Sequence, residues 1–254
     1  MKPILPLLIL VTLLSQACQH VSPSSRLVAE EFVCHRATSP IHVDGSLDEE
    51  AWQGARAVAF NLPQDQQHQR LILEENGTGR ILWDDDFLYV AFTFMDSDVV
   101  AFGTNDDQDH HTLGDVAEIF LKPTDQTWYW EFHVTPAGYV SSYWNPGRGR
   151  FGLQGVDLHI RPRFIEAAAR VQGTLNDDRD RDVKWTAEVA IPWAKLDRFG
   201  EMRDIKAHWT ILLARYNYTR YRIQASGPEL SSWPDLSRAS YHLVEQYAPL
   251  KLVP

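Results

Sequence analysis

The stretch that decides the fold runs from residue 80 to residue 144. It contains ILWDDDFLYVAFTFMDSDV (81–99), GDVAEIFLKP (114–123) and YWEFHVTPAGYVSSYW (129–144). Each apolar run has the length of a strand, alternates along its length and ends at turn residues. One carboxylate, Glu118, lies inside a strand, where burying a charge is costly unless the charge is paired or used. The pattern therefore predicts an all-β fold and marks one of its faces.

The rest of the chain repeats this pattern. Residues 183–191 alternate strictly, residues 209–218 form another apolar run, and residues 250–253 close the chain with a short one. Residues 47–52 predict a short helical turn that packs Trp52 against the core. Because strands dominate and turns recur regularly, we predict a single two-sheet antiparallel β-sandwich, similar to a jelly roll, over residues 36–254.

The N-terminal residues predict an export signal. Lys2 precedes an apolar run from Ile4 to Leu14, which is too short to span a bilayer. The run leads to Ala17-Cys18, and this arrangement resembles a bacterial lipobox, in which the cysteine is acylated. We therefore predict a lipoprotein-like signal peptide over residues 1–18 and a linker over residues 19–35. The alternative is an ordinary secretory signal peptide cleaved near Ala17.

Cysteine content and charge limit the function further. The second cysteine, Cys34, is a lone thiol if Cys18 is acylated, and otherwise the two cysteines can bridge. The formal net charge of −10 argues against nucleic acid and against direct contact with an anionic membrane surface. We expect an exported protein that meets the membrane only through a lipid anchor, on the periplasmic or outer-membrane face, or one that is secreted.

The central hairpin holds the candidate polar pair. A turn at residues 123–125 joins two strands, and a symmetric register places Glu118 opposite His133. The other face of this hairpin carries Ile119, Leu121, Phe132 and Trp130, which must be core, so we expect the pair to face a groove or solvent. A hydrogen bond to a charged group contributes about 1.5–3 kcal/mol. Glu118→Ala should then weaken ligand binding at least about tenfold without changing the melting temperature. A structural ion pair is the equally weighted alternative.

The order of five segments resembles carbohydrate-binding module family 9. The segments are VDGSLDEEAW (43–52), LWDDDFLYV (82–90), DVAEIFL (115–121), the run from Trp185 to Trp193, and SWPD (232–235) ahead of the closing strand. The resemblance covers nearly all of residues 40–254. It implies a β-sandwich that binds sugar chains and often accompanies glycoside hydrolases. It therefore implies a non-catalytic role in polysaccharide catabolism.

The resemblance also implies a site, in which a sugar lies between two aromatic planes above polar groups. Glu118 matches the strand glutamate of the family. The position of the first stacking tryptophan falls on Thr112, that of the basic residue on His133, and that of the second stacking residue near Tyr241. The amide expected near Leu212 is absent. Trp233 and Trp144 offer further flat faces, with core packing as the alternative. The candidate contacts are Glu118, His133, Thr112, His111, Tyr241, Trp233 and Trp144.

Other chemistries have weaker support in the sequence. We predict no cofactor and no metal, and the alternative is Ca²⁺ in the acidic loop 105–111. No nucleophile or metalloprotease motif is present, so we predict no enzymatic activity, with weak glycoside hydrolysis as an alternative. A haem-binding redox sandwich is the other alternative, with Met95, His133 and Met202 as possible axial ligands.

Overall fold

The fold is taken from a computed structural model of the chain. It describes residues 29–148, 160, 163–197, 200, 202, 204–206, 208–221 and 227–254. The predicted signal peptide, Cys18 and most of the predicted linker lie outside the described residues. No helix within the described ranges is long and apolar enough to cross a membrane.

Strands make up most of the regular structure of the described residues. The strands are β1 Phe32–His35, β2 Ala57–Ala59, β3 Gly77–Trp83, β4 Phe87–Met95, β5 Val116–Pro123, β6 Tyr129–Val134, β7 Val140–Asn145, β8 Glu166–Gln172, β9 Lys184–Pro192, β10 Trp209–Asn217, β11 Glu229–Trp233 and β12 Ala248–Val253. The helices are α1 Glu50–Gly54, α2 Gln64–His68 and α3 Trp193–Leu196, with 3-10 turns at His110–Thr112 and Val244–Gln246.

The strands form two sheets, as predicted. The larger sheet has the order β1-β12-β10-β5-β6-β7, and β11 also pairs with β10. The smaller sheet has the order β2-β3-β4-β9-β8. β1 and β12 pair in parallel, and the other pairings described are antiparallel. The predicted β-sandwich is therefore confirmed.

The main core lies between the sheets. Alternate residues of β4, β5, β6, β9 and β10 point into it, among them Phe92, Ile119, Phe132 and Trp185, all with exposures near zero. Each large apolar side chain removed from water contributes roughly 1.5–3 kcal/mol, so this layer is the main source of stability. The four residues assigned to the core face of the central hairpin, Ile119, Leu121, Phe132 and Trp130, all belong to this cluster.

The outer face of the smaller sheet is covered by the segment that precedes β2. Trp52 of α1 is 2% exposed and packs there with Tyr89 and Ala91 of β4. The indole N–H of Trp52 donates to Oε1 of buried Glu188 at 2.7 Å, and the backbone N–H groups of Asp44 and Gly45 donate to Oε2 of the same carboxylate. This cover explains why β4 is apolar on both faces, and the predicted helical turn is confirmed.

The predicted linker ends too late. Residues 32–35 form β1, in which Phe32 and Cys34 are buried in the main core. Phe32 pairs with Leu250 and Cys34 with Leu252 of the last strand. The folded region therefore begins at Phe32 at the latest, because β1 completes the edge of the larger sheet. Burial also raises the pKa of the Cys34 thiol well above its usual range.

Part of the outer face of the larger sheet is covered by the C-terminal segment 236–247. Phe120, Leu212, Tyr241 and Tyr247 form an apolar cluster there, all of them buried. The neighbouring part of the same face is polar. It holds Glu118 and the residues around it.

Candidate functional site

The polar part of this sheet face is built on the central hairpin. Glu118 of β5 pairs with His133 of β6, so the predicted register is confirmed. Nε2 of His133 lies 3.0 Å from Oε1 of Glu118 and 2.9 Å from Oε1 of Glu131. Glu131 has the same orientation as His133 because the two residues are two positions apart on one strand. Two carboxylates therefore converge on one imidazole nitrogen.

Burial makes this arrangement electrostatically strong. Burial alone would lower the pKa of His133, but the attraction of Glu118 and hydrogen bonds to Glu118 and Glu131 raise it to about 10. Burial alone would raise the pKa of Glu131. The hydrogen bond to His133 and the positive charge of His133 outweigh the effect of burial, so the pKa of Glu131 lies below its usual value. Asn145 of β7 donates to Oε2 of Glu131 at 3.1 Å. At neutral pH the cluster holds an imidazolium and a stable carboxylate.

The expectation that this pair faces a groove or solvent is wrong. Glu118 is 2% exposed and His133 is fully buried. Three rings enclose the pair. The ring centroid of Tyr143 lies 4.9 Å from that of His133, and the ring of His111 meets His133 edge-on at 5.8 Å between centroids. The ring of Tyr216 lies beside His111, with 5.6 Å between the centroids. His111 and Tyr216 are only half-buried, so they form the accessible surface above the charges.

A tightly anchored loop holds His111 over the hairpin. The backbone carbonyl of His111 accepts a hydrogen bond from the hydroxyl of Tyr218 at 2.7 Å. Asp115 fixes the following turn by accepting from the N–H groups of Val100 and Tyr218. Gly114 adopts a φ of +141°, and a Cβ there would lie 2.3 Å from the carbonyl oxygen of Val100. The position therefore requires glycine, and the loop is fixed at both of its ends.

Two predicted contacts lie on the opposite face of the sheet. Trp144 pairs with core-facing Trp130, and Trp233 pairs with core-facing Leu213. Both tryptophans pack against the core between the sheets, and Trp233 also meets Phe32 edge-on at 5.3 Å. The alternative of core packing holds for both. They do not share a face with Glu118.

Thr112 and Tyr241, the two positions that correspond to stacking residues of the family, do not offer a flat ring face to a ligand. Thr112 is exposed in the 3-10 turn, and its hydroxyl donates to the carbonyl of Asp109 at 2.8 Å. Tyr241 is 4% exposed and donates to the carbonyl groups of Arg215 and Ser231. It meets Tyr216 edge-on at 5.4 Å, so it supports the wall of the site from behind.

The candidate contacts from the sequence omit four residues of the cluster, and one of them is Glu131, which lies two positions before His133 on the same strand. Tyr143 and Asn145 lie on the cluster's side of β7, and Tyr216 lies on the cluster's side of β10. The alternation of β7 across the turn after His133 would have identified Tyr143 and Asn145. Tyr216 comes from a strand about 80 residues further along the chain, and local spacing carries no signal for such a pairing.

The structure gives the acidic loop 105–111 internal roles. Asp106 accepts from the N–H of Val140 at 2.9 Å and pairs with Arg163, while the Gln108 side chain caps the N–H groups of Thr104 and Asn105. These are loop-closing contacts of the kind that turn residues make.

The three residues named as possible haem ligands, Met95, His133 and Met202, lie in different parts of the fold. Met95 is 44% exposed on the smaller sheet, Met202 packs against the core between the sheets, and His133 lies on the outer face of the larger sheet. They do not share a haem pocket. Glu118 and Glu131 contact the same nitrogen of His133, so no sugar can lie between them as in a glycosidase.

Solved structures of low sequence identity share this architecture. A "putative carbohydrate-binding protein" from Bacteroides uniformis ATCC 8492 is 10% identical, with a TM-score of 0.65, over 88% of this chain and 99% of that one. A family 9 carbohydrate-binding module from Caldicellulosiruptor kristjanssonii in complex with cellotriose is 12% identical, with a TM-score of 0.55, over 87% and 93%. A family 9 module from the same organism in complex with glucose is 12% identical, with a TM-score of 0.54, over 87% of this chain and 96% of that one. At these identities the likeness establishes the fold, a β-sandwich of the family 9 type.

The sequence comparison supports the same family. Residues 43–146 match the family described as Carbohydrate family 9 binding domain-like. This match confirms the resemblance drawn from the sequence and includes Glu118, Glu131 and His133. No curated protein matches the chain.

Proposed function

We propose that the protein is a non-catalytic carbohydrate-binding protein, exported and tethered through acylated Cys18, that serves polysaccharide catabolism beside glycoside hydrolases. One observation carries the binding role. A cluster of Glu118, Glu131 and His133 lies beneath half-buried rings on a sheet face, within the segment that matches the family. Modules of similar fold have been solved with cellotriose and with glucose.

The chemistry of the cluster suits a saccharide. Carboxylates and an imidazole satisfy sugar hydroxyls, and the flat faces of Tyr216 and His111 suit the C–H face of a sugar ring. Because Glu118 and His133 are covered, the ligand would meet Tyr216 and His111 first, and a rotation of His111 would open a path to the charges.

Titration calorimetry with glucose and cellotriose tests this role. The variant Cys18→Ala provides soluble protein, and Tyr216→Ala removes one wall of the site. An aromatic contact contributes about 0.5–1.5 kcal/mol, so affinity should fall roughly two- to tenfold. Arg170→Ala, an exposed change on the smaller sheet, is the matched control and should leave affinity unchanged. Absence of binding to these sugars and to a glycan array, by protein that melts cooperatively, would refute the proposal.

A reducing-sugar assay tests the non-catalytic role. We expect no turnover, because His133 fills the space between the two carboxylates. Turnover that is lost in Glu118→Gln but kept in Arg170→Ala would show that the protein is an enzyme.

Membrane fractionation tests the anchor. Cys18→Ala should release the protein from the membrane fraction, and the mass of the wild type should include acyl chains. A wild-type protein that is soluble and free of acyl mass would instead support the ordinary secretory signal peptide.

A further inference from the structure

The cluster on the larger sheet also has the composition of a metal centre. Ligand atoms of His111, Glu118 and His133 all lie within 4.8 Å of one another. Two imidazoles and one carboxylate form a common protein ligand set for Zn²⁺, with a fourth position open to water or to a ligand. Imidazole ligands favour zinc and its neighbours over Ca²⁺, which prefers oxygen ligands.

The distances are close to those of a coordinated ion. Ligand atoms bound to Zn²⁺ at about 2.1 Å lie roughly 3–4 Å apart. Nε2 of His133 and Oε1 of Glu118 are already 3.0 Å apart, and the β5–β6 pairing fixes both side chains. His111 is the half-buried member, and its ligand atom lies within 4.8 Å of those of the other two residues.

The charges in the cluster favour a cation. Glu118 and Glu131 place two carboxylates beside His133, which can compensate only one of them. Buried charges are costly unless they are paired or bind a metal.

Supporting contacts hold the ligands in place, as a metal site requires. Asn145 holds Glu131 beside His133, and the hydrogen bond between Glu131 and Nε2 of His133 is lost when that nitrogen binds the ion. The carbonyl of His111 is held by Tyr218. The ion and a proton compete for His133, since a ligating nitrogen must be unprotonated.

We propose that His111, Glu118 and His133 bind one divalent transition-metal ion of the zinc type, with Glu131 as a neighbouring carboxylate that adds negative charge to the site. The inference rests on the geometry and charge of the cluster and is independent of saccharide binding. Zn²⁺ alone is therefore the probe.

Titration calorimetry of the EDTA-treated Cys18→Ala protein with ZnCl₂ should show one ion per chain. Addition of Zn²⁺ should also raise the melting temperature, because only the folded state assembles the three ligands. His111→Ala should weaken Zn²⁺ binding at least tenfold, while its melting temperature in EDTA stays close to that of the parent protein. His68→Ala, which removes an exposed histidine of α2, is the matched control and should bind Zn²⁺ like the parent.

Two results would overturn the proposal. One is folded protein that takes up no stoichiometric Zn²⁺ in calorimetry or elemental analysis. The other is a His111→Ala variant that binds Zn²⁺ as tightly as the parent, because the ion would then lie elsewhere.

Discussion

Removing the carboxylate of Glu118 should destabilise the fold. The side chains of Glu118 and His133 are 3% and 1% exposed, and Glu118→Gln leaves the imidazolium without this partner. Breaking a buried ion pair on one side costs about 3–5 kcal/mol. Glu131 remains 2.9 Å from the same nitrogen, so the cost should lie near the lower end, about 3 kcal/mol. In a domain of this size that corresponds to a fall in melting temperature of roughly 6–12 °C.

The assay is thermal unfolding in EDTA, followed by circular dichroism, so that no metal contributes. The matched control is Glu166→Gln, which changes an exposed glutamate on β8 and should leave the melting temperature unchanged. A double-mutant cycle with His133→Gln isolates the pair, and we expect a coupling above about 1 kcal/mol. A melting temperature within 2 °C of the wild type, or additive effects of the two substitutions, would refute the reasoning. The sequence-based expectation of an unchanged melting temperature assumed a pair facing a groove or solvent.

Three further predictions concern two buried groups outside the cluster, Glu188 and Cys34. Glu188→Ala leaves three buried donors without their acceptor, so the free energy of unfolding measured with denaturant should fall by at least about 3 kcal/mol. A fall below about 1 kcal/mol would contradict this reasoning. Burial raises the pKa of Glu188, so the folded state holds the proton more tightly than the unfolded chain. As the pH rises through this raised pKa, the free energy of unfolding of the wild type should therefore decrease relative to that of Glu188→Gln. In the Cys18→Ala background, Cys34 should react with a thiol reagent only after unfolding, because it is fully buried and burial raises its pKa. Rapid labelling of the native protein would contradict the position of β1 in the core.

The sequence predicts best what local spacing determines. The register of the central hairpin follows from a short turn, and the pairing of Glu118 with His133 is confirmed. The core face of the same hairpin follows from alternation alone. Trp130 was assigned to this core face, and Trp144 pairs with it directly across β6 and β7. The same reasoning, extended by one strand, would have removed Trp144 from the candidate contacts.

Other features depend on distant parts of the chain. β1 pairs with β12, so Phe32 meets Leu250, and no local pattern indicates that a supposed linker completes a sheet. The burial of Glu118 has the same origin. His111 comes from a loop and Tyr216 from a remote strand, and these rings cover the pair. Alternation shows which side chains share a face, but it does not show what packs on top of that face.

The position of the cluster raises the question of why charges are buried there at all. The same sheet face continues into a packed apolar cluster around Phe120, so apolar side chains are accommodated beside it. Replacing buried ion pairs by apolar residues of similar volume is often neutral or stabilising. A fold that needed only stability would therefore gain little from Glu118 and His133, and a ligand gives their burial a reason.

A variant that carries Glu118→Met, Glu131→Gln and His133→Leu together separates stability from binding. Glu131→Gln keeps the acceptor for Asn145, and the other two changes remove the buried charges and keep similar volumes. If the cluster serves a ligand, this variant should melt in EDTA at least as high as Glu118→Gln, because no uncompensated charge remains. It should bind neither Zn²⁺ nor saccharide. A melting temperature below that of Glu118→Gln would show that the charges themselves stabilise the sheet, and their burial would then need no ligand to explain it.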